Sequence, residues 1–300
     1  MNPGIHPRSP GLIILCLALL SLCLSPAMPG STASPLPPLV KNPADGAEMI
    51  LIPGGHFTMG AGAEDRDAKQ NERPQRKVYA GPFYIYRYEV TNGMFRRFVA
   101  ATGYKPLGRW QSFDRPGLES HPAIYVTYRD AIAYCRWAGV SLPTEAQWEK
   151  AARGTDGRRY PWGSQWNPSY CNNRDLRDPA LLKKAAPVAG GRGTLPVGAV
   201  AADKSPYGVM DMGGNINEWC RDWYDPACYR KGGTADPAGP EKGTERVLRG
   251  GGWSLPPHRS RCSSRWSGDV ESPLDDYGFR CAAGPGFPRD RQGQKPLRKK

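Results

Sequence analysis

Three segments of the chain repeat their apolar residues at the spacing of an amphipathic helix. Each follows a threonine, whose side-chain oxygen can accept a hydrogen bond from the first turn, and each stops before a glycine, which readily takes the left-handed conformation that ends helices. The third also has a glutamine three residues after its threonine, as in a capping box. The predicted helices lie between Thr91 and Gly103, between Thr127 and Gly139, and between Thr144 and Gly154.

Strand patterns precede these helices. "EMILIPGGHFTMG" (48–60) predicts two short strands separated by a Pro-Gly-Gly turn. "GPFYIYRYEV" (81–90) alternates aromatic and polar residues, which is typical of a half-buried strand. The polar stretch between them, 63–78, predicts a surface loop. After Gly154 the periodicity fades, so this part of the domain needs disulfides, buried tryptophans or metal ions to hold it together.

The N-terminus predicts an export signal. The apolar run "GLIILCLALLSLCL" (11–24) follows Arg8 and precedes small residues that offer cleavage after Ala27 or Ala33. The run is short for a membrane span, and no later segment is apolar enough to cross a membrane. A lipoprotein signal ending at Cys23 is the alternative, although Leu22 stands where a small residue is expected.

These features divide the chain into four parts. We expect a signal peptide at 1–33, a Pro-rich linker at 34–46, one domain at 47–283 and a basic disordered tail at 284–300. The mature protein is therefore expected to be periplasmic or secreted, and we expect a monomer.

Composition narrows the chemistry. The net charge of +13 comes without a nucleic-acid-binding motif, so we expect no nucleic-acid partner. Outside the signal peptide the histidines are His56, His121 and His258, and none pairs with another at a zinc spacing. Of the eight cysteines, Cys16 and Cys23 belong to the signal peptide, and the even remainder predicts disulfides in an exported protein.

One glycine-broken segment concentrates oxygen donors. In "YGVMDMGGNINEWCRDWYD" (207–225), carboxylates and side-chain amides alternate with glycines that free backbone carbonyls. Hard cations such as calcium are bound by such oxygens. A polar turn without a metal is the other interpretation of the same residues.

Several blocks, in order along the chain, resemble the formylglycine-generating enzyme family, also called the sulfatase-modifying factor domain. They include "MILIPGGHFTMG", "YEVTNGMFRRFVAATGY", "VSLPTEAQWEKAARG", "YGVMDMGGNINEWCRDWYD", "RVLRGGGW" and "DYGFRCA". The resemblance runs from about Ala47 to Ala283. It implies a single α+β domain with a variant of the C-type lectin fold, low in regular secondary structure and often containing calcium.

The resemblance also implies where chemistry would occur. The oxidases of the family hold copper with two cysteines directly after the Gly-Gly turn, and two thiolates suit Cu(I). Here that turn reads "RGGGWSLPPHRSRCSSRW" (249–266), with Cys262 alone. We therefore expect no copper. His258 and Cys262 remain the catalytic candidates, and Trp253 and Arg259 the groove residues.

Further site residues are implied by the same resemblance. A Cys135–Cys281 disulfide matches the family pattern, whereas Cys262 could pair with Cys171, Cys220 or Cys228, and Cys220–Cys262 with Cys171–Cys228 is the preferred set. One calcium site would use the side chains of Asp211 and Glu218 and the carbonyls of Gly214 and Ile216. Another would use Asn172 and Asn173, but its later acidic ligand falls near Ala189, where the sequence has no carboxylate.

Three functions are compatible with these residues. The first is a non-catalytic accessory protein that binds a peptide, protein or small molecule in the groove. The second is an exported enzyme of the same family, similar to those that mature siderophores such as pyoverdine. The third is a formylglycine-generating oxidase with a rearranged site. A titratable group with a perturbed pKa in the groove would favour an enzyme.

Overall fold

The structure is a computed structural model that describes Met1, residues 36–188 and residues 191–287. The predicted signal peptide, apart from Met1, and the tail beyond residue 287 lie outside the described residues. Within the described part of the chain, no helix combines the length and apolar character needed to span a membrane.

Five α-helices lie in the described residues. They are α1 (Asn92–Thr102), α2 (Tyr128–Ala138), α3 (Glu145–Arg153) and the single turns α4 (Pro179–Leu182) and α5 (Cys228–Lys231). The three long helices confirm the predicted boundaries. In each, the threonine side chain accepts a hydrogen bond from the backbone N–H three residues later, and the helices end at glycines with positive φ.

The strands, in chain order, are β1 (Leu39–Lys41), β2 (Glu48–Ile52), β3 (Gly55–Met59), β4 (Arg76–Ala80), β5 (Phe83–Tyr86), β6 (Pro187–Val188), β7 (Gly191–Arg192), β8 (Asn217–Trp223), β9 (Glu245–Arg249), β10 (Trp266–Asp269), β11 (Tyr277–Gly278) and β12 (Ala282–Ala283). One antiparallel sheet has the order β1-β2-β5-β12, and a second has the order β10-β9-β8-β11, with β8 and β11 parallel. The pairs β3–β4 and β6–β7 stand apart. This mixture of helices and sheets is the expected α+β class.

The first sheet differs from the predicted pattern in two ways. Strand β1 lies inside residues 34–46, which were expected to be a linker, and its Val40 pairs with Met49. Strand β5 is buried on both faces rather than half-buried. The reason is that Tyr84 and Tyr86 point into one apolar cluster while Phe83 and Ile85 point into another, so the sheet separates two cores.

The predicted loop 63–78 also differs. It contains the start of β4 and a 3-10 helix, Gln70–Glu72, and it buries the carboxylates of Asp65 and Glu72. Those side chains turn inward because Arg261 lies within 2.8 Å of Asp65 and within 2.6 Å of Glu72. A buried guanidinium therefore draws a polar segment into the domain.

The cysteines occupy different surroundings. The sulfurs of Cys135 and Cys281 are 3.4 Å apart in the larger core, which is compatible with the expected pair. Cys220 and Cys262 share the second core but are free thiols in this structure, so the preferred Cys220–Cys262 disulfide is not formed in it. The structure gives no support to the Cys171–Cys228 pairing, because the Cys171 thiol contacts Ser260 whereas Cys228 lines a separate surface cavity.

Candidate functional site

The glycine turn after β9 is fixed by close backbone contacts. Gly250 and Gly251 have φ values of 99° and 81°, which favour glycine over any other residue. A side chain at Gly250 would also come within 3.1 Å of the Ile216 carbonyl oxygen. The turn continues into a 3-10 helix, Pro257–Ser260, and then into β10.

Buried arginines hold this turn against the rest of the domain. Arg249 contacts Glu149 at 2.5 Å and Glu145 at 3.3 Å, and it also donates to the Cys262 carbonyl. Arg265 contacts Glu145 at 2.6 Å. Because each guanidinium is buried and paired with a carboxylate, the charges are satisfied without solvent.

Cys262 is placed in the core rather than in the groove. Its side chain is fully buried beside Ala151, Ala152 and Trp148. Burial raises the pKa of the thiol to about 12. A soft copper centre needs two accessible thiolates; the turn supplies one buried thiol, so the residues present do not fit the two-cysteine site.

Of the predicted groove residues, Arg259 lies against an aromatic ring, that of Trp266. The guanidinium of Arg259 lies 3.7 Å from the centroid of Trp266, and the ammonium of Lys69 lies 4.0 Å from it. His258 is half-buried nearby, and burial together with the positive charges of Arg261 and Arg259 lowers its pKa. Trp253, also half-buried, has an indole N–H without a partner among the described residues. Lys69 and Trp266 were missed because they lie far apart in sequence.

An acidic side chain completes this groove. Asp276 lies so close to Gly252 that a side chain there would approach its Oδ2 to 2.6 Å. Burial, and next the charge of Asp275, raise the pKa of Asp276 to about 6. Its carboxyl accepts a hydrogen bond from Asn217 at 2.7 Å. A buried carboxyl group with a raised pKa therefore lies directly beside the glycine turn.

The expected calcium ligands are close together, but one is already committed. Both carboxylate oxygens of Glu218 accept hydrogen bonds from Arg280, at 2.6 and 2.7 Å, and one also accepts from Trp148. Asp211 accepts from Gly198 N–H at 2.6 Å, and the Gly214 carbonyl accepts from Ile216 N–H at 2.8 Å. Glu218 is therefore an ion-pair partner before it could be a ligand.

Two further buried carboxylates adjoin this segment, and nothing in their local sequence marks them as part of it. They are Glu89 and Asp203. Burial raises the pKa of both well above the usual value, and the charge of Asp211 adds to each effect. Burial likewise raises the pKa of Asp211 to about 7. Several acids thus share one buried region, which a bound cation would stabilise.

Oxygen atoms without hydrogen-bond donors lie in the same region. Asn215 bridges Asn172 and Glu89, donating to Glu89 at 2.9 Å and accepting from Asn172 at 2.9 Å. The remaining oxygens of Asn172 and Glu89 are buried, and neither has a partner among the described residues. Hard cations prefer oxygen ligands of this kind, but the described residues contain no group of three or more His, Cys, Asp or Glu side chains placed to hold a metal ion. Asn173 instead accepts from Asp175 N–H in a turn, and residue 189 lies outside the described residues.

The fold and the site together define a class of protein: a single α+β domain whose glycine turn is held by buried arginines and is followed by two cations on the ring of Trp266. The sulfatase-modifying factor enzyme 1-like domain matches residues 36–284. The chain therefore belongs to this family, which also includes the formylglycine-generating enzymes, and the expected fold is confirmed.

Known relatives support this assignment. The formylglycine-generating enzyme of Thermomonospora curvata is 34% identical, over 79% of this chain and 93% of that protein. A Mus musculus protein named inactive C-alpha-formylglycine-generating enzyme 2 is 32% identical, over 81% of this chain and 87% of its own length. Among solved structures, PvdO from Pseudomonas aeruginosa superimposes with a TM-score of 0.68 at 28% identity, covering 84% of this chain and all of that one.

Proposed function

We propose that this protein is an exported accessory protein of the family, which binds a ligand in the groove of Trp253, Arg259 and Trp266 and does not carry out copper-dependent cysteine oxidation. The observation that carries the proposal is the position of Cys262. Its thiol is buried, its pKa is raised to about 12, and the turn has no second cysteine. A mouse relative named inactive C-alpha-formylglycine-generating enzyme 2 supports a member of this family that does not oxidise cysteine.

The direct test uses copper and a cysteine peptide. The purified protein is loaded with Cu(I) and incubated with a sulfatase-type cysteine peptide in air, beside the Thermomonospora curvata relative as positive control. We expect the control to bind copper tightly and to convert the peptide, and we expect this protein to do neither. Conversion by this protein that stops in Cys262→Ser would show that the buried thiol has been misassigned.

A second function, an enzyme that works without copper, is favoured by one observation. Asp276 lies beside Gly252 of the glycine turn with a pKa raised to about 6, as expected for a proton-transferring group. If the groove is catalytic, Asp276→Asn should abolish turnover of its substrate while leaving substrate affinity within a small factor. If Asp276→Asn changes neither affinity nor any turnover, the binding role alone stands.

We also propose a structural calcium ion at the acidic region of Asp211, Glu89 and Asn172. The support is the excess of buried carboxylates and the two oxygens without donors. Calcium should raise the melting temperature, because a ligand that binds only the native state stabilises it. Asp211→Ala should remove most of that rise. A melting temperature that is the same with calcium and with chelator would contradict the site.

Export is tested separately. N-terminal sequencing of the protein from the periplasmic or secreted fraction should give a start near Met28 or Ser34. Recovery of that fraction with Met1 intact would contradict the signal peptide.

A further inference from the structure

Arg259 is a largely buried cation without a partner. Arg259 is only 6% exposed, yet its guanidinium donates no hydrogen bond to any described residue and forms no ion pair with one. The other buried arginines of this turn, Arg249, Arg261 and Arg265, each pair with carboxylates. No nitrogen of Arg259 is among the buried unpartnered atoms of the described residues, so the guanidinium reaches solvent and its donors are open to a ligand.

A second cation shares the same ring. Lys69 and Arg259 both lie against Trp266, so their charges are less than about 8 Å apart, which is the Debye length at physiological ionic strength. Like charges at this distance repel. Lys69 is exposed and Trp266 is 40% exposed, so both remain accessible to a ligand.

The two acids in electrostatic range of these cations, Asp276 and Glu72, form no ion pair with them, and Glu72 is paired with Arg261. Asp276 is within electrostatic range of Arg259 but not in salt-bridge contact with it, and its carboxyl is held instead by Asn217. The fork of Arg259 therefore keeps its N–H donors free for a planar or tetrahedral anion, the shapes that a guanidinium binds with two hydrogen bonds.

We propose that Arg259, Lys69 and the ring of Trp266 form a subsite for an anionic group, a carboxylate or a phosphate, carried by the groove ligand. Arg259 donates paired hydrogen bonds to the anion, Lys69 adds a point charge at the rim, and Trp266 holds both cations in place. The inference rests on the proposed binding function of the groove and specifies the chemical class of its ligand.

The probes are inorganic phosphate and glutarate, each titrated against chloride at constant ionic strength. Binding is followed by tryptophan fluorescence, and Trp266→Phe identifies the part of the signal that comes from this ring. We expect a saturable change with at least one of the two anions and none with chloride. The relative affinity for phosphate and glutarate distinguishes the two sources of the anion.

Two variants test the assigned cations. Lys69→Ala should weaken binding about two- to fivefold, as expected for one exposed charge, whereas Arg66→Ala, an exposed arginine of the same loop, should leave it unchanged. Arg259→Lys keeps the charge and loses the fork, so binding should weaken about tenfold. If Arg259→Lys does not fold, Lys69→Glu provides the same test at the rim and should abolish binding.

Equal titrations for phosphate, glutarate and chloride would overturn the subsite, as would a Lys69→Ala variant that binds like Arg66→Ala. This result is independent of the copper test. If copper-loaded protein oxidises the peptide but the anion response is present, the accessory role fails and the subsite stands. If the anion response is absent and the peptide is not oxidised, the accessory role stands without this ligand class.

Discussion

Replacing Cys262 with serine tests whether its thiol has a structural or a catalytic role. The side chain is fully buried in the core with Ala151, Ala152 and Trp148, and it makes no hydrogen bond among the described residues. A serine hydroxyl there would be buried without a partner, which costs about 1–3 kcal/mol. Cys262→Ala loses only packing, about 1 kcal/mol. We therefore expect serine to destabilise the protein more than alanine does.

The free energy of unfolding is measured in urea for the wild type, Cys262→Ser, Cys262→Ala and Cys228→Ser. Cys228 is only partly buried, so its replacement should change stability by less than about 0.5 kcal/mol. Alkylation of the native protein gives a second measurement. With a pKa of about 12, the Cys262 thiol is ionised at about one part in 10⁵ at pH 7 and should resist modification. Rapid alkylation of Cys262, or unchanged stability in Cys262→Ser, would refute this reasoning.

Two other perturbations test the buried charges. Arg249→Met should lower the free energy of unfolding in urea by about 3–5 kcal/mol, because it leaves Glu149 and Glu145 without the guanidinium of Arg249. The control Arg129→Met removes an exposed ion pair and should lower it by less than about 1 kcal/mol. Burial raises the pKa of Asp222 to about 7 in the folded protein. Protonation of Asp222 therefore stabilises the folded state by about 4 kcal/mol at most, and this contribution is lost as the pH rises from about 4 through 7. Asp222→Asn should therefore stabilise the protein at pH 8 and have little effect at pH 4. An equal effect at the two pH values would contradict the shift.

The helices could be predicted because their signals are local. Thr91, Thr127 and Thr144 each cap a helix with a bond to a residue three positions away. Strand β1 could not be predicted this way, since its three residues form a strand only by pairing with β2. The burial of Glu72 likewise depends on Arg261, which is 189 positions away in the sequence.

The candidate site likewise contains features that could be predicted from the sequence and features that depend on the fold. The segment containing Asp211 and Glu218 was expected to bind calcium or to form a polar turn, and the calcium site stays a prediction. The expected ligand set changes, however. Arg280 donates hydrogen bonds to both carboxylate oxygens of Glu218, and the carboxylate of Glu89, from another segment, lies in the same region. Trp253 and Arg259 were expected in a groove. The contact between Lys69 and the ring of Trp266 could not be predicted, because the fold brings these two residues together from distant parts of the sequence.

The arginine network explains how this turn can keep its shape without a metal-binding cysteine pair. Arg249 and Arg265 join it to the acidic residues of α3 and share Glu145, and Arg261 joins it to the 63–78 segment. None of these contacts involves the side chain of Cys262 or of the residues between Trp253 and His258. The positions that face the groove can therefore vary while the backbone is held from behind. In this protein the same freedom leaves Arg259 unpaired, and an unpaired guanidinium favours binding an anion.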